Sequence, residues 1–375
     1  MRAIVSREVA AGDGLRASWN SLLNQIENAQ VFYTYEWAIA VERAYASILK
    51  PLVFLFYEQD KLVAIAPLAT SLSGRPAFFL TATTADYCDI LSIPGYSHRV
   101  WDCLQEELSK LGIETLVLAN LPEDSPAHQA LRETKMYGFH LHIRKAYDCA
   151  RVALGSAEHR AEIKSALYKK KVYRRAIRQL TSQGFEVLHL REYSDVSRCL
   201  EQFYAAHIAR FQATGRRSNI EDPERRLFLT ELARELCATQ SMVLSCLRLH
   251  GVPIAWNYGF RFRGCWFWYQ PTFDSAYEEF SPGFSLLGKI IEASCDDPEI
   301  AVVDLGLGAE EYKDRFATSV RRTMYATLQR SRLSHVRTAT RYRLATLVKR
   351  SPYAEQKIRQ LLNKRQRGTI SAPSA

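Results

Sequence analysis

The turn Ser281-Pro282-Gly283 has the composition of a site for an anionic ligand. It lies between an aromatic, strand-like run at 265–269 and apolar residues at helical spacing that begin with Phe284. Serine is common at a helix N-cap, proline in the first turn, and glycine where a ligand approaches the backbone. Because the free N–H groups of a helix start attract anions, the sequence predicts an anion site at this turn. The same residues are also compatible with an ordinary helix start.

Three side chains in the second half of the chain could transfer protons. Asp304 ends the apolar, β-branched segment 300–305, where desolvation would raise a carboxyl pKa, so it is a candidate base. His207 is the second candidate base because histidine titrates near neutral pH. Tyr312 is the candidate acid or a substrate contact. The alternatives are a turn-capping carboxylate for Asp304 and a half-buried helix histidine for His207.

Other side chains are candidates for ligand contacts. Lys313 could hold a phosphate or pair with a neighbouring acid, and Arg210 is predicted to contact substrate. Tyr269 and Tyr277 could line an acyl or acceptor channel, although aromatic strand residues are more often core. The sequence contains no HExxH motif and no carboxylate arrangement that specifies a metal, so none is predicted.

The elements that must position these residues fall into two similar halves. With 375 residues the chain exceeds what one hydrophobic core usually organises. Each half contains a predicted hairpin, at 50–83 and 242–258, followed by a predicted helix, at 100–111 and 284–293. A composition change near residue 154 suggests a junction. We therefore predict an α/β (α+β) protein with lobes at 1–154 and 155–325 and a tail at 326–375.

Charge is distributed unevenly along the chain. The net charge is +10, but the stretch from Arg321 onward holds fourteen Lys and Arg against one acid, so the first 320 residues carry −3. The tail pattern is typical of a basic amphipathic helix, which either docks on an anionic membrane surface or packs on the body. A second basic run, 164–178, would lie on one helix and could attract phosphate-rich ligands or be a solvated face.

Cysteine usage and the N-terminus indicate the compartment. The eight cysteines never occur as Cys-x-x-Cys and lie in apolar or helical contexts, as reduced thiols do. No secretory signal is recognisable, and no apolar run approaches the roughly 20 residues needed to span a bilayer. The expected location is the cytoplasm, with the basic tail as a candidate contact to the inner face of the membrane.

A family resemblance rests on the run FDSAY…SPGFSLL…VVDLGLGAEEYKDRF, which spans residues 273–316. It resembles the closing signature of the CelD-type branch of the GNAT N-acetyltransferase superfamily, bacterial proteins linked to exopolysaccharide and cellulose synthesis and related to Fem-type aminoacyltransferases. The pattern FYAAHIARF at 203–211, the basic run near 168–180, and Asp86-Tyr87-Cys88-Asp89 are also similar to that family.

The resemblance implies two GNAT-like lobes in tandem, each a mixed, mostly antiparallel sheet flanked by helices. It implies a transferase that moves an acyl group, with acetyl as the first expectation, from acetyl-CoA or another acyl-CoA. The acceptor would be an amine or hydroxyl of a sugar, nucleotide-sugar or glycan precursor. The second lobe would carry the reaction. The acidic pair Glu278-Glu279 departs from the archetype, because it lies where a pyrophosphate would bind.

Two further functions stay open at this point. A Fem-type transfer from aminoacyl-tRNA would use the basic helix at 164–178 and would be salt-sensitive. A non-catalytic, membrane-docked scaffold of polysaccharide assembly would depend on the tail instead. Other nucleic-acid binding is not expected, because the body is near neutral and lacks a nucleic-acid fold signature.

Overall fold

The computed structural model describes residues 1–10, 13–81, 83–308 and 310–349. Thirteen strands form one sheet in this part of the chain. The strands are β1 (Arg2–Ser6), β2 (Leu49–Glu58), β3 (Lys61–Ser71), β4 (Ala77–Phe79), β5 (Leu91–Ser92), β6 (Thr115–Pro122), β7 (His140–Ala153), β8 (Phe185–Leu190), β9 (Met242–Leu249), β10 (Val252–Phe262), β11 (Cys265–Phe273), β12 (Val302–Asp304) and β13 (Ser319–Gln329).

Eleven α-helices flank this sheet in the described residues. They are α1 (Asp13–Leu23), α2 (Tyr35–Tyr45), α3 (Ser97–Lys110), α4 (Pro126–Glu133), α5 (Ala157–Lys169), α6 (Lys171–Ser182), α7 (Tyr193–Ala213), α8 (Pro223–Ala238), α9 (Pro282–Asp296), α10 (Glu311–Asp314) and α11 (Arg332–Lys349). Short 3-10 helices span Val31–Tyr33, Asn219–Glu221 and Ser275–Phe280. None of the described helices is both long and apolar enough to cross a bilayer.

Each half of the sheet has an equivalent order of strands, and the halves join at the central strands β13 and β7. It runs β1-β2-β3-β4-β6-β13 from one edge and β8-β9-β10-β11-β12-β7 from the other, and β5 pairs with β3 off this path. In each half one parallel pair interrupts an otherwise antiparallel sheet, β4 with β6 and β11 with β12. The predicted α/β fold with two similar lobes of mixed, mostly antiparallel sheet is confirmed.

The two central strands are exchanged between the lobes. Strand β7 precedes the second lobe's helices in the chain, yet Val152 lies opposite Val303 of β12. Strand β13 closes the second lobe in the chain, yet Leu328 lies opposite Leu116 of β6. The two strands also pair with each other along most of their length. The predicted boundary at residue 154 would divide the lobes along the chain, but β7 and β13 pair with strands on the other side of it.

The exchange of strands places the first part of the predicted tail, 326–375, within the fold. Residues 326–329 belong to β13, and Arg321 is a buried side chain of that strand that binds Asp124 through Nε at 3.1 Å. Helix α11 packs against β7 and β13. The predicted tail therefore contributes the end of a central strand, 326–329, and a packed helix before residue 350. The rest of the predicted tail, 350–375, lies outside the described residues.

The predicted single basic helix is two helices. The chain leaves helical geometry at Lys170, where ψ is 114°, so α5 ends and α6 begins there. Burial explains the placement of α6: its apolar side chains Tyr173, Ile177 and Leu180 pack into the core with α9, and its lysines and arginines face outward. On α5, Arg160 donates to the carbonyls of Ser294, Asp297 and Ile300, which closes the C-terminal end of α9.

Candidate functional site

The second lobe opens between its two parallel strands. Strands β11 and β12 pair only from Cys265 opposite Val302 to Phe267 opposite Asp304. Strand β11 then continues to Phe273 while β12 ends at Asp304. The edge of β11 that follows Phe267 therefore faces a gap rather than a neighbouring strand.

A β-bulge lies at the start of this gap. Against β10, Tyr258 is opposite Gln270 but Phe260 is opposite Phe267, so β11 has one extra residue within 268–269. A bulge leaves one residue outside the regular ladder and bends the strand. The opening consequently begins with a kinked segment that has backbone groups free of the ladder.

A pocket of about 240 Å³ lies at this opening, and we call it the second-lobe pocket. Its walls come from α7, β11, the start of α9 and α10. The lining residues are Arg210, Trp268, Pro271, Thr272, Phe273, Glu278, Ser281, Pro282, Gly283, Phe284 and Tyr312.

The start of α9 forms one wall, as the turn composition predicts, but it is built differently. Ser281 occupies the N-cap position in the left-handed region, with φ 46°, and its side chain makes no capping hydrogen bond. Such a conformation is costly for a residue with a β-carbon and is found at functional turns. A β-carbon on Gly283 would lie 3.1 Å from Cδ1 of Phe273, so glycine keeps this wall open.

The pocket lining contains a hydrogen-bonded pair of side chains, Trp268 and Tyr312, and one cation, Arg210. The Nε1 of Trp268 donates to the hydroxyl of Tyr312 at 3.0 Å, and burial raises the pKa of Tyr312 to about 12. Tyr312 therefore keeps its proton at neutral pH. The guanidinium carbon of Arg210 lies 4.3 Å above the ring of Phe273, which places a cation at the same pocket.

Asp304 is locked in place below the opening. It is fully buried, its Oδ2 accepts from the Tyr87 hydroxyl at 2.8 Å, and its Oδ1 accepts from the N–H of Gly306 at 2.9 Å. Arg151 Nε lies 3.3 Å from Oδ2. Burial raises the pKa of Asp304, and Arg151 opposes that effect. Since both oxygens are engaged, this carboxylate anchors the loop after β12 rather than facing a substrate.

Asp86, which sequence reasoning noted only within a family pattern, fits the role of a base better. It is half-buried on the loop between β4 and β5, and burial, with the neighbouring carboxylate of Asp304, raises its pKa to about 7. The neighbouring N–H of Leu307 acts in the opposite direction and lowers this pKa. Two carboxylates in one site often have separated pKa values, one fixed as an anion and one able to exchange a proton.

Asp86 lies next to the opening of the second lobe. A β-carbon built on Gly306 would be 2.6 Å from Oδ2 of Asp86 and 3.4 Å from the carbonyl oxygen of Trp268. Trp268 in turn holds Tyr312. The candidate base from the first lobe and the candidate acid from the second lobe therefore lie on the two sides of one β11 residue.

His207 has a different environment from that of a general base. It is 1% exposed; its Nδ1 lies 2.8 Å from Ser218 Oγ and its Nε2 lies 2.8 Å from Gln270 Nε2. Because Oε1 of Gln270 accepts from Arg225, its amide nitrogen donates to Nε2. Burial lowers the pKa of His207 to about 4. The neutral imidazole, with both nitrogens engaged, positions Gln270 on β11.

Three other candidates also have structural partners. Lys313 is 4% exposed and its Nζ donates to the carbonyl of Leu307 at 2.6 Å, so it fixes the loop and does not reach a phosphate. Tyr269 donates to the carbonyl of Thr84 at 2.6 Å and joins the lobes. Tyr277 is partly buried and packs beside Phe280 against the hydrophobic core of the second lobe. None of the three lines the second-lobe pocket.

Residues 169–314 match the family model described as an acetyltransferase (GNAT) domain. A search of curated proteins found no match. Among solved structures the chain is similar to FemX, with TM-score 0.60, 8% identity, and 87% of this chain and 97% of that chain covered.

The C-terminal domain of a putative lysylphosphatidylglycerol synthetase from Agrobacterium fabrum has TM-score 0.54, 13% identity and coverage of 86% and 93%. A conserved protein of unknown function from Bacteroides thetaiotaomicron has TM-score 0.57, 11% identity and coverage of 88% and 100%. At these identities the likenesses show a shared fold. Together with the domain match they support an enzyme that transfers an acyl group.

Proposed function

We propose that the protein transfers an acyl group, acetyl in the first instance, from acyl-CoA to an amine or hydroxyl of a sugar, nucleotide-sugar or glycan precursor. The observation that carries this proposal is the second-lobe pocket, which combines a glycine-opened helix start, a bulged strand edge and a protonated tyrosine. The resemblance to the CelD-type branch supports a role in exopolysaccharide or cell-envelope synthesis.

The donor would enter through the second-lobe pocket. A volume of about 240 Å³ suits a thioester and its arm but not a whole nucleotide, which would extend to the surface. Free backbone groups at the β11 bulge would bind the thioester carbonyl, where negative charge develops. Glu278 at the pocket opposes a diphosphate, so we expect the pocket to hold the arm and the phosphates to lie further out.

The reaction needs one bond made and one broken. The acceptor nitrogen or oxygen attacks the thioester carbon, Asp86 takes its proton, and the carbon–sulfur bond breaks. Tyr312 then gives its proton to the departing thiolate and is reprotonated from solvent. A base with a pKa of about 7 suits the first task at neutral pH, and a tyrosine with a pKa of about 12 is present in its protonated form for the second.

A second function, aminoacyl transfer from tRNA, is favoured by one observation. Six cations of α5, α6 and their junction have no ion-pair partner among the described residues: Lys169, Lys170, Lys171, Arg174, Arg175 and Arg178. The Lys170 ammonium lies 5.8 Å from the ring centroid of Phe316, and the Phe316 ring packs at a tilt against Phe284 of the pocket, with centroids 4.6 Å apart. This cationic edge could take the phosphates of coenzyme A or those of RNA.

A scaffold without catalysis remains the third candidate, acting at the inner face of the membrane through the basic tail. Its test must remove residues after 349. A deletion from Arg321 would take away the central strand β13 and unfold both lobes.

The first experiment is isothermal titration of the protein with acetyl-CoA and coenzyme A at low and physiological salt, beside Gly283→Trp and Gly283→Ala. Because the space beside Gly283 is limited by Phe273, we expect binding to be lost with tryptophan and weakened with alanine. Circular dichroism checks that both variants are folded. No binding to the wild type, with salt-sensitive binding of aminoacyl-tRNA, would replace the first function by the second.

A further inference from the structure

A larger cavity lies between the lobes, and its lining shares no residue with the second-lobe pocket. It has a volume of about 720 Å³, and we call it the inter-lobe trough. Its residues come from β4 and the segments on both sides of it, from β6, β7 and β13, and from the loop after β12. They are Pro76, Phe78, Phe79, Thr81, Thr83, Ala85, Cys88, Val117, Ala119, Asn120, Arg144, Ala146, Tyr147, Leu307 and Tyr325.

The trough contains one cation that has no acidic partner in the described structure. The guanidinium carbon of Arg144 lies 4.3 Å from the ring centroid of Tyr325 and 4.2 Å from that of Tyr342 on α11. Its Nε is buried without a hydrogen-bond partner, and its Nη1 donates to the carbonyl of Lys145 at 3.2 Å. Two aromatic rings therefore pack on the guanidinium, the Tyr342 hydroxyl is a further polar neighbour, and Nε has no hydrogen-bond partner.

The charges around Arg144 do not neutralise it. No Asp or Glu lines the trough in the described part of the chain. His142 on the same strand has a pKa lowered by burial and by the neighbouring cations, and Arg343 on α11 is one of them. A cation held in a site of one sign attracts an anion, and the planar fork of arginine suits phosphate and carboxylate oxygens.

Two residues beside the candidate base line the trough. They are Ala85, directly before Asp86, and Leu307, whose N–H lowers the pKa of Asp86. Asp86 itself lines neither cavity, so the amine or hydroxyl of a ligand in the trough would have to extend past Ala85 or Leu307 to meet it.

We propose that the inter-lobe trough is the acceptor site and that Arg144 binds a phosphate or carboxylate that the acceptor carries. This inference rests on the proposed acyl transfer. It narrows the acceptor from any sugar to an anionic one, such as a sugar phosphate or an acidic amino sugar. Because Arg144 is a residue of the exchanged strand β7, specificity comes from the junction of the lobes.

The test is isothermal titration with four probes: glucosamine 1-phosphate, glucosamine 6-phosphate, muramic acid and glucosamine. Glucosamine itself carries neither a phosphate nor a carboxylate. The first two carry phosphate beside an amine and the third carries a carboxylate. We expect at least one anionic probe to bind about ten-fold or more tightly than glucosamine, and this advantage to fall about 10- to 100-fold in Arg144→Gln. The better probe type identifies the anion.

Lys145→Gln is the matched control, because it removes one positive charge from the neighbouring residue, which pairs with Asp148 and does not line the trough. It should keep the advantage. Three results would overturn the proposal. All probes could bind equally, both variants could lose the advantage equally, or no anionic probe could bind with a dissociation constant below about 1 mM. Acetyl-CoA is titrated into the same variants: failure of donor binding in the wild type counts against acyl transfer, whereas donor binding without Arg144-dependent anion binding counts against the trough alone.

Discussion

The two lobes open their sheets at the same topological position but fill the openings differently. In the second lobe the gap between β11 and β12 adjoins the start of α9, and Ser281 to Phe284 line its pocket. In the first lobe the gap after the β4–β6 pair is part of the inter-lobe trough, and no residue of α3 lines it. One architecture thus offers a helix start at one opening and an arginine-bearing trough at the other.

The loops that follow the paired strands explain the difference. In the first lobe the segment after β4 does not lead directly into a helix but crosses to the second lobe. There Thr84 accepts from Tyr269, Tyr87 donates to Asp304, and Asp86 lies beside Gly306. The first lobe therefore contributes a loop to the opening of the second, and under the proposed function the two lobes would divide the donor, base and acceptor roles.

The largest expected effect comes from the residue that crosses between the lobes. Asp86→Asn should lower the transfer rate about 10²- to 10⁴-fold without changing acetyl-CoA affinity, because only the base is lost. In the wild type the rate should rise with pH through about 7, since the base acts when deprotonated. Rates measured from pH 5 to 9 test this. His207→Gln, which removes the rival base, should keep the pH dependence; loss of that dependence there would contradict the assignment.

The same variant has a signature in stability. A carboxyl whose pKa is raised on folding contributes stability below its unfolded pKa and loses it as pH rises through the folded value near 7. Compared with Asp86→Asn, the wild type should therefore lose free energy of unfolding between pH 4 and 8. Denaturant unfolding across this range measures the difference. An unchanged difference would show that the carboxyl titrates normally in the fold.

Two bulky substitutions, one in each cavity, test whether the donor and the acceptor bind at different openings. Gly283→Trp in the second lobe should abolish acetyl-CoA binding, at least about 30-fold, and Ala119→Trp in the trough should raise the KM of the acceptor by a similar factor. Each should leave the other ligand unaffected, because the two cavities share no lining residue. Calorimetry for the donor and initial rates for the acceptor provide the readouts. Loss of both ligands in either variant would mean that one cavity serves both.

A smaller effect is expected within the second lobe. Tyr312→Phe should lower kcat about 10- to 100-fold with little change in donor affinity, because a proton donor to the thiolate is lost while the ring remains. Tyr277→Phe is the control, since Tyr277 lies outside the pocket. Release of free thiol measures both. A normal kcat in Tyr312→Phe would assign protonation of the thiolate to water.

The smallest effect should be a gain. Glu278→Gln removes a carboxylate from the opening at which donor phosphates would lie, so affinity for acetyl-CoA should rise about two- to five-fold. Salt should reduce the gain, because the group is exposed and its interactions are screened. Titration at two ionic strengths checks both points. An unchanged affinity would place the phosphates away from Glu278.

Local patterns predicted the elements well. The hairpins at 50–83 and 242–258 are β2–β3 and β9–β10, and the helix predicted at 284–293 is α9. These features depend on side-chain alternation, helical spacing and turn residues, which act over short distances. The turn Ser281-Pro282-Gly283 was found in the same way, although Ser281 adopts a left-handed conformation that composition does not indicate.

The roles of the polar residues could not be found in this way. His207 and Lys313 have the right side chains for a base and a phosphate ligand, but their nitrogens are engaged by Gln270 and Leu307. Asp86 has no unusual local sequence, and its raised pKa arises from burial and from Asp304, which is 218 residues away in the chain. Such effects depend on contacts between distant segments.

The sequence by itself determined the class of fold, the strand and helix pattern and the helix start that faces the second-lobe pocket, because these follow from local chain geometry and hydrophobic periodicity. Only the tertiary structure decided that β7 and β13 change places, that Asp304 has both carboxylate oxygens engaged beside Asp86, and that Arg144 lies in a trough without an acidic partner among the described residues. The physical reason is that strand order, burial and charge pairing are set by which distant segments come together, and no short pattern specifies that.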